Sequence, residues 1–149
     1  YPKPKQQPIP VWFGGRSPAA YKRIARLGDG FLGSYQPPEE AGKAVCGIRQ
    51  AAEEYQRTVP EDHYGTIVPF HFGDEDISAE IAALVKRINP RVSFETYAAW
   101  RTPDAVLRCI DAFVEVGITK FVMRPMVSGP TINDQFARLA ELVVPRYHD

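Results

Sequence analysis

Gly14, Gly15, Arg16 and Ser17 are the residues whose types and spacing best suit a chemical role. Glycine lets a ligand approach the backbone closely, and arginine adds a permanent charge with a planar fork of donors. Ser17 is a good helix N-cap and Pro18 suits the first helical position, so the free N–H groups of a helix start are aimed at the same point. Such a point attracts an anion, commonly phosphate. The alternative is an ordinary strand-to-helix turn of an α/β protein.

His71 and Arg124 fall at the ends of two predicted strands, where barrel enzymes place functional side chains. His71 can change its charge near neutral pH, and Arg124 can hold a carboxylate or a phosphate. We therefore predict both as substrate-binding residues. The alternatives are a packed, hydrogen-bonded His71 and an Arg124 that forms a salt bridge at the rim.

Two other groups of side chains are of types that could serve a chemical role. The acidic run at residues 74–76 has no further ligand at metal-like spacing, which favours a solvated turn and predicts no metal site. The aromatic group Phe94, Tyr97 and Trp100 suits either a lid over a pocket or a cover for the core. No catalytic residue is predicted from the spacing of side chains.

Short apolar strands alternate with amphipathic helices along the chain, an order that implies parallel βαβ units and an α/β fold. The apolar stripes of the helices predict that Leu27, Val114 and Phe136 are buried. Pro69 predicts a bulge or an end within its strand, and residues 91–101 read as a partly ordered connection. The predicted strands lie at residues 10–13, 31–33, 64–72 and 119–123, and the predicted helices at about 18–27, 38–57, 77–88, 103–116 and 132–144.

A complete eightfold barrel needs about 250 residues. The 149 residues with four predicted strands therefore suit a small open sheet or about half of a barrel. Tyr1 and the four prolines of the first ten residues predict a linker or loop over residues 1–9. We accordingly expect the chain to be a piece of a longer or processed protein.

The bulk composition excludes some classes of function. Lys and Arg total 18, as do Asp and Glu, which gives no electrostatic case for nucleic acid or for an anionic membrane. No apolar run reaches membrane-spanning length. Cys46 and Cys109 form neither a disulfide framework nor a zinc site, so free thiols and a cytoplasmic location are expected.

Three pieces of the sequence carry a family resemblance. Residues 8–20 read Pro-Ile-Pro-Val-Trp-Phe-Gly-Gly-Arg-Ser-Pro-Ala-Ala, and residues 25–31 read Ala-Arg-Leu-Gly-Asp-Gly-Phe. Thr102-Pro103-Asp104 is followed, after a helix, by Gly-Ile-Thr-Lys-Phe-Val-Met-Arg-Pro over residues 117–125. Together they resemble the C-terminal part of the luciferase-like monooxygenase family, over nearly the whole chain.

The resemblance implies an eight-stranded α/β (TIM) barrel in the intact protein, with residues 1–149 as one domain forming roughly its second half. It implies FMN or coenzyme F420, with the ring at the C-terminal ends of the strands and residues 14–17 near the cofactor phosphate. In this family much of the ring pocket and several catalytic groups come from the N-terminal half. None of those groups can be named in this chain.

Two functions follow as expectations. In the first, the chain is part of a flavin- or deazaflavin-dependent oxidoreductase or monooxygenase that acts on a small molecule. The isolated chain is then expected to be inactive, and to form a homo-oligomer or to pair with the missing barrel half. The second is a non-catalytic half-barrel that binds a phosphorylated ligand or a partner chain. Fold alone does not decide between them.

Overall fold

A computed structural model of the chain describes residues 3–74, 79, 83, 86–127 and 131–147. Among these residues, five parallel strands form one sheet: β1 (Trp12–Phe13), β2 (Gly30–Ser34), β3 (Tyr64–Phe72), β4 (Ala99–Arg101) and β5 (Lys120–Pro125). The helices are α1 (Pro18–Leu27), α2 (Pro38–Glu54), α3 (Pro103–Glu115) and α4 (Thr131–Leu142). Single 3₁₀ turns span Glu61–His63, Phe94–Thr96 and Val144–Arg146.

Part of one predicted segment falls outside this description. Residues 79, 83 and 86–88 are helical. The rest of the helix predicted over 77–88, together with Glu75 and Asp76 of the acidic run, lies outside the described residues.

The nine-residue strand β3 is the centre of the sheet, because it pairs with β2, β4 and β5. Alternate residues of a strand point their backbone groups to opposite edges. The carbonyl of Phe70 accepts from Met126, just after β5, whereas the N–H of Gly73 donates to Arg101 of β4. The even-numbered residues therefore bond toward β5, and the odd-numbered ones bond toward β2 and then β4.

Pro69 lies inside β3 without a bulge or a strand end, so that prediction was wrong. It stands opposite Arg124 in continuous register with β5. Proline has no N–H to donate, but as an odd-numbered residue it faces the edge shared by β2 and β4. Pairing with β2 ends at Ile67 and pairing with β4 begins at Phe70, so the missing donor falls where no ladder bond is required.

The helix starts follow the predicted signals. Ser17 and Thr102 are the N-caps of α1 and α3, and the side chain of each accepts from the amide three residues on at 3.2 Å. Pro18 and Pro103 fill the first helical position. Gly117 follows α3 with φ of 90°, a conformation that glycine adopts readily. These local signals place the helix starts next to the strand ends that they follow.

The helices pack on one of the two faces of the sheet. Phe31, Val68 and Phe70 belong to the main buried cluster together with the inner residues of all four helices, Ile24, Val45, Ile48, Ile110 and Leu139 among them. The alternate strand residues lie on the opposite face, which we call the open face and which carries Trp12, Leu32, Ile67, His71, Lys120, Val122 and Arg124. Val122 is 49% exposed there. Parallel strands with helices on one face, and exposed residues on the other face along β5, confirm an α/β half-barrel.

The structure differs from the predictions made for residues 91–101 and for the buried faces of the helices. The connection at residues 91–101 contains β4, so the described sheet has a fifth strand that was not predicted. Among the described residues, the three residues of β4 pair only with the end of β3. A strand this short leaves no periodic pattern in the sequence. Leu27, Val114 and Phe136 are exposed rather than buried. No helix in the described part of the chain is long and apolar enough to cross a membrane.

Candidate functional site

The turn between β1 and α1 packs its two glycines against neighbouring elements. Gly15 has φ of 144°, and a Cβ there would lie 2.4 Å from the Cβ of Ala20. A Cβ on Gly14 would lie 2.9 Å from the carbonyl oxygen of Leu32 in β2. Glycine at both positions therefore lets the turn fold tightly between α1 and β2. The packing of the chain accounts for both glycines without a ligand.

Backbone donors at the start of α1 are only partly used. The N–H of Ala20 donates to the Ser17 Oγ, and the N–H of Tyr21 donates to the Ser17 carbonyl at 3.0 Å. Within the described part of the chain, the N–H groups of Arg16, Ser17 and Ala19 meet no acceptor. Because the helix dipole adds partial positive charge at this end, the three amides suit an anion.

Arg16 connects this turn to the end of the neighbouring strand. Its Nη2 donates to the carbonyl of Ser34 at 2.9 Å, which fixes one end of the guanidinium and leaves its other donors available. The side chain also lines a cleft of about 420 Å³ at the carboxyl ends of β1 and β2. The other lining residues are Tyr21, Gln36, Glu40, Lys43, Ile88, Asn89, Pro90 and Arg91.

The cleft is rich in donors and positive charge. Arg16, Lys43 and Arg91 contribute three cations against the single carboxylate of Glu40. Lys43 also forms an exposed ion pair with Glu39 at 2.6 Å, which raises the pKa of its ammonium. Gln36 is buried, and its Nε2 has no hydrogen-bond partner in the part of the chain that the structure describes. An unsatisfied buried donor beside cations is an arrangement that an anionic ligand would complete.

Arg124 lies on the open face at the end of β5. Its Nη1 donates to the hydroxyl of Tyr35, which follows β2. No carboxylate among the described residues pairs with it, so the alternative of a rim salt bridge does not describe its surroundings there. Most of the donors of its guanidinium are left available at the carboxyl ends of the strands.

His71 lies on the same face as Arg124, one open-face position beyond the strand partner of Arg124 on β3, Pro69. It is 1% exposed, and its ring centroid lies 5.5 Å from that of Trp100. This burial fits the packed alternative, and a substrate role for His71 stays a prediction. In the described segments, no group of three or more His, Cys, Asp or Glu side chains is arranged to hold a metal ion.

Tyr97 belongs to the aromatic group for which a lid over a pocket and a cover for the core were the alternatives. It is 1% exposed and belongs to the main buried cluster, so it covers the core and is not part of an open lid. Burial raises the pKa of its phenol well above the usual value, Tyr35 and Glu95 raise it further, and Arg16 opposes them. Tyr97 therefore lies within electrostatic reach of the proposed anion site.

Four residues near the cleft were not predicted from the sequence as site residues: Tyr35, Gln36, Lys43 and Arg91. Tyr35 and Gln36 directly follow β2, and position after a strand is the signal that could have found them, as it did for Arg124. Lys43 and Arg91 reach the cleft only through the folding of α2 and of residues 88–91 onto it, for which no local signal exists.

The chain resembles solved structures whose length it only half spans. An F420-dependent secondary alcohol dehydrogenase, solved with an F420-acetone adduct, shares 19% identity and a TM-score of 0.75, over 100% of this chain and 52% of that chain. The coenzyme F420-dependent tetrahydromethanopterin reductase from Methanopyrus kandleri shares 18% identity and a TM-score of 0.68, over 94% and 51%. The oxygenating constituent of 3,6-diketocamphane monooxygenase from Pseudomonas putida, in complex with FMN, shares 11% identity and a TM-score of 0.63, over 91% and 48%.

At such identities these likenesses show the fold alone, and a family match goes further. A sequence model of the luciferase-like monooxygenases matches residues 1–107 of the 149. The match includes β1 to β4, the turn at residues 14–17 and the whole cleft beside it. The chain therefore belongs to the luciferase-like monooxygenase family.

Proposed function

We propose that residues 1–149 form, as one domain, the C-terminal half of a flavin- or deazaflavin-dependent oxidoreductase or monooxygenase, and that Gly14, Gly15, Arg16 and Ser17 bind its cofactor phosphate. The observation that carries the proposal is the meeting of free amides at the start of α1 with the Arg16 guanidinium. Both lie at the carboxyl ends of strands, where barrel enzymes of all chemistries bind their ligands.

The donor set of this site fits the phosphate of FMN or of coenzyme F420. Backbone amides, the Ser17 hydroxyl and the Arg16 guanidinium all donate, and a phosphate only accepts. Gln36, whose buried Nε2 meets no acceptor among the described residues, lines the same cleft as Arg16. When bound, the flavin or deazaflavin ring supplies the electron or hydride transfer, and the residues of this chain bind and orient it. One similar structure is F420-dependent and another binds FMN, so the proposal includes both cofactors.

We assign Arg124 and His71 to the side of a small-molecule substrate. Both lie on the open face near the carboxyl ends of adjacent strands, and Arg124 keeps unused donors there. In this proposal they orient the substrate toward the cofactor. The catalytic groups belong to the half of the barrel that this chain does not supply.

A non-catalytic half-barrel is the second candidate. The observation in its favour is that the packing of Gly14 and Gly15 explains both residues without any cofactor. Such a protein would bind a phosphorylated ligand or a partner chain through the same basic cleft. It would bind phosphate without regard to an attached flavin ring.

Titration of the intact protein with FMN, riboflavin and coenzyme F420, followed by fluorescence, tests the proposal. A hydrogen bond to a charged group contributes about 1.5–3 kcal/mol, so Arg16→Ala should weaken the cofactor with the phosphate by about ten- to a hundredfold. Riboflavin has no phosphate, and its affinity should not change. Arg26→Ala, the loss of an exposed arginine in the last turn of the same helix, is the matched control.

Three outcomes separate the candidates. Selective loss of FMN or coenzyme F420 affinity in Arg16→Ala supports the cofactor site. Equal affinity of Arg16→Ala and the parent protein for every cofactor overturns the site. Binding of inorganic phosphate as tight as that of any flavin or deazaflavin supports the non-catalytic half-barrel.

A further inference from the structure

Tyr35 has a backbone conformation that its surroundings must enforce. Its φ is 50°, in the left-handed region that non-glycine residues seldom adopt. Residues held in such conformations cost free energy and persist where several contacts determine them together. Tyr35 is also buried directly after β2, on the same rim as the proposed anion site.

Residues from three other parts of the chain contact Tyr35. The Nδ2 of buried Asn89 donates to its carbonyl at 3.0 Å. The ring of Tyr97 meets its ring edge-on, with 6.2 Å between the centroids. The Nη1 of Arg124 donates to its hydroxyl, and this contact joins residues 89 positions apart in sequence. Backbone, ring and hydroxyl are thus each fixed by a different part of the chain.

The contact with Arg124 has an asymmetry that points to a ligand. Tyr35 is buried and held, whereas Arg124 is exposed and, among the described residues, has no carboxylate partner. An exposed arginine with no anchor samples many rotamers, and ordering it upon binding costs conformational entropy. The phenol oxygen fixes the arginine before a ligand arrives and leaves the other guanidinium donors available.

We propose that Tyr35 is a positioning residue, which holds the guanidinium of Arg124 at the carboxyl ends of the strands to receive an anionic group of a bound ligand. The anion belongs either to the cofactor, as a phosphate, or to the substrate, as a carboxylate. The inference rests on the proposed function for the identity of the ligands. The contact between Tyr35 and Arg124 does not depend on it.

The experiment compares Tyr35→Phe, Arg124→Ala and the double variant in the intact protein. Tyr35→Phe keeps the ring against Tyr97 and removes only the hydroxyl. Tyr147→Phe is the matched control, since the Tyr147 hydroxyl also makes a hydrogen bond, to Asp111 of α3 at 2.7 Å. One arm titrates FMN against riboflavin. The other titrates benzoate, a planar carboxylate, into the flavin-loaded protein and follows the flavin absorbance.

Tyr35→Phe should weaken one arm by about three- to tenfold and Arg124→Ala should weaken the same arm by about ten- to a hundredfold. Loss in FMN but not riboflavin assigns the anion to the cofactor, and loss in benzoate assigns it to the substrate. The double variant should match Arg124→Ala alone, because a positioning residue has no effect once the positioned group is removed. Melting temperatures should stay close to that of the parent.

A readout without any cofactor keeps the inference testable if the parent protein binds neither a flavin nor coenzyme F420, an outcome that would overturn the proposed function alone. The Nε–H signal of Arg124 in a ¹H–¹⁵N spectrum should be sharp in the parent and broadened by exchange in Tyr35→Phe. An unchanged signal in Tyr35→Phe overturns the inference. So does an affinity in both arms equal to that of the parent, or a further loss when Tyr35→Phe is added to Arg124→Ala.

Discussion

At the scale of single residues, both the backbone conformation and the space around Gly15 require glycine. Its φ of 144° is a conformation that glycine adopts without strain, and the Cβ of Ala20 occupies the space that a side chain would need. Both requirements come from the fold of the turn. A substitution at Gly15 therefore tests the stability of the turn as well as its binding, unlike one at Arg16.

Gly15→Ala should destabilise the protein by about 1–3 kcal/mol, the usual cost of a non-glycine residue in such a conformation, with the steric conflict adding to it. Ala20→Gly removes the atom in conflict but places glycine in the first turn of α1. The double variant should therefore be more stable than the sum of the two single changes predicts, since the two positions are in contact. Chemical denaturation measures all three.

Additive free energies of unfolding in Gly15→Ala and Ala20→Gly would show that the close approach of the two Cβ atoms carries no energy. Ala19→Gly is the matched control, because Ala19 is exposed in the same turn of α1. Its effect should add to that of Gly15→Ala.

The residue scale also shows how far sequence reasoning could go. Ser17 and Pro18 carry their structural roles in their own chemistry, and the structure confirms both as helix-start residues. Tyr35 and Gln36 acquire theirs from contacts with Arg124 and from burial in the cleft, which no local pattern encodes. The turn at residues 14–17 could therefore be found in the sequence, and the position of Tyr35 and Gln36 after β2 could have placed them at the rim, but their contacts could not be predicted.

At the scale of elements, long segments were predicted well and short ones poorly. The predicted limits of β3 are those of the structure, since nine residues rich in apolar and aromatic side chains, bounded by turns, leave little choice. The three residues of β4 depend on β3 for their pairing. Val114 and Phe136 belong to the predicted stripes but are exposed, because a stripe gives the direction of a helix face and not its width.

Helix α4 is tied to the end of β3 by one buried side chain. The Gln135 Oε1 accepts from the N–H of Phe72 at 2.7 Å, and its Nε2 donates to the carbonyl of Phe72 at 2.9 Å. The amide group thus takes the place of a neighbouring strand where β5 has ended. The ring of Phe72 also lies under the guanidinium of Arg138, 5.0 Å from its centroid, which strengthens the same contact.

Gln135→Ala should lower the free energy of unfolding by about 2–4 kcal/mol, because two buried backbone groups lose their partners. The amide of Phe72 should also exchange with deuterium faster than the neighbouring amides of β3. Gln50→Ala, at an exposed position of α2, is the control and should change neither quantity. Unchanged exchange at Phe72 would mean that another group satisfies the strand end.

At the scale of the whole molecule, the open face explains several features together. Lys120, Val122 and Arg124 are exposed and alternate with partly buried residues, so β5 has one half-buried and one exposed face. Within the described residues, β1 pairs only with β2 and β5 only with β3. Among the described residues, the unpaired edges of β1 and β5 and the exposed open face of β5 fit a barrel half without its complement.

The last prediction concerns the chain produced alone. It should associate at micromolar concentration, because its free edges and Val122 offer pairing surfaces to a second copy. Val122→Lys, a change at a position 49% exposed, should weaken that association in sedimentation velocity and leave the melting temperature of the monomer nearly unchanged. Val114→Lys is the control, since Val114 is comparably exposed on the helical side. The chain should also lack turnover with reduced flavin or deazaflavin, because the described residues leave the open face of β5 exposed to water. A strictly monomeric profile would contradict the pairing surfaces, and turnover equal to that of a full-length relative would contradict the need for a second half.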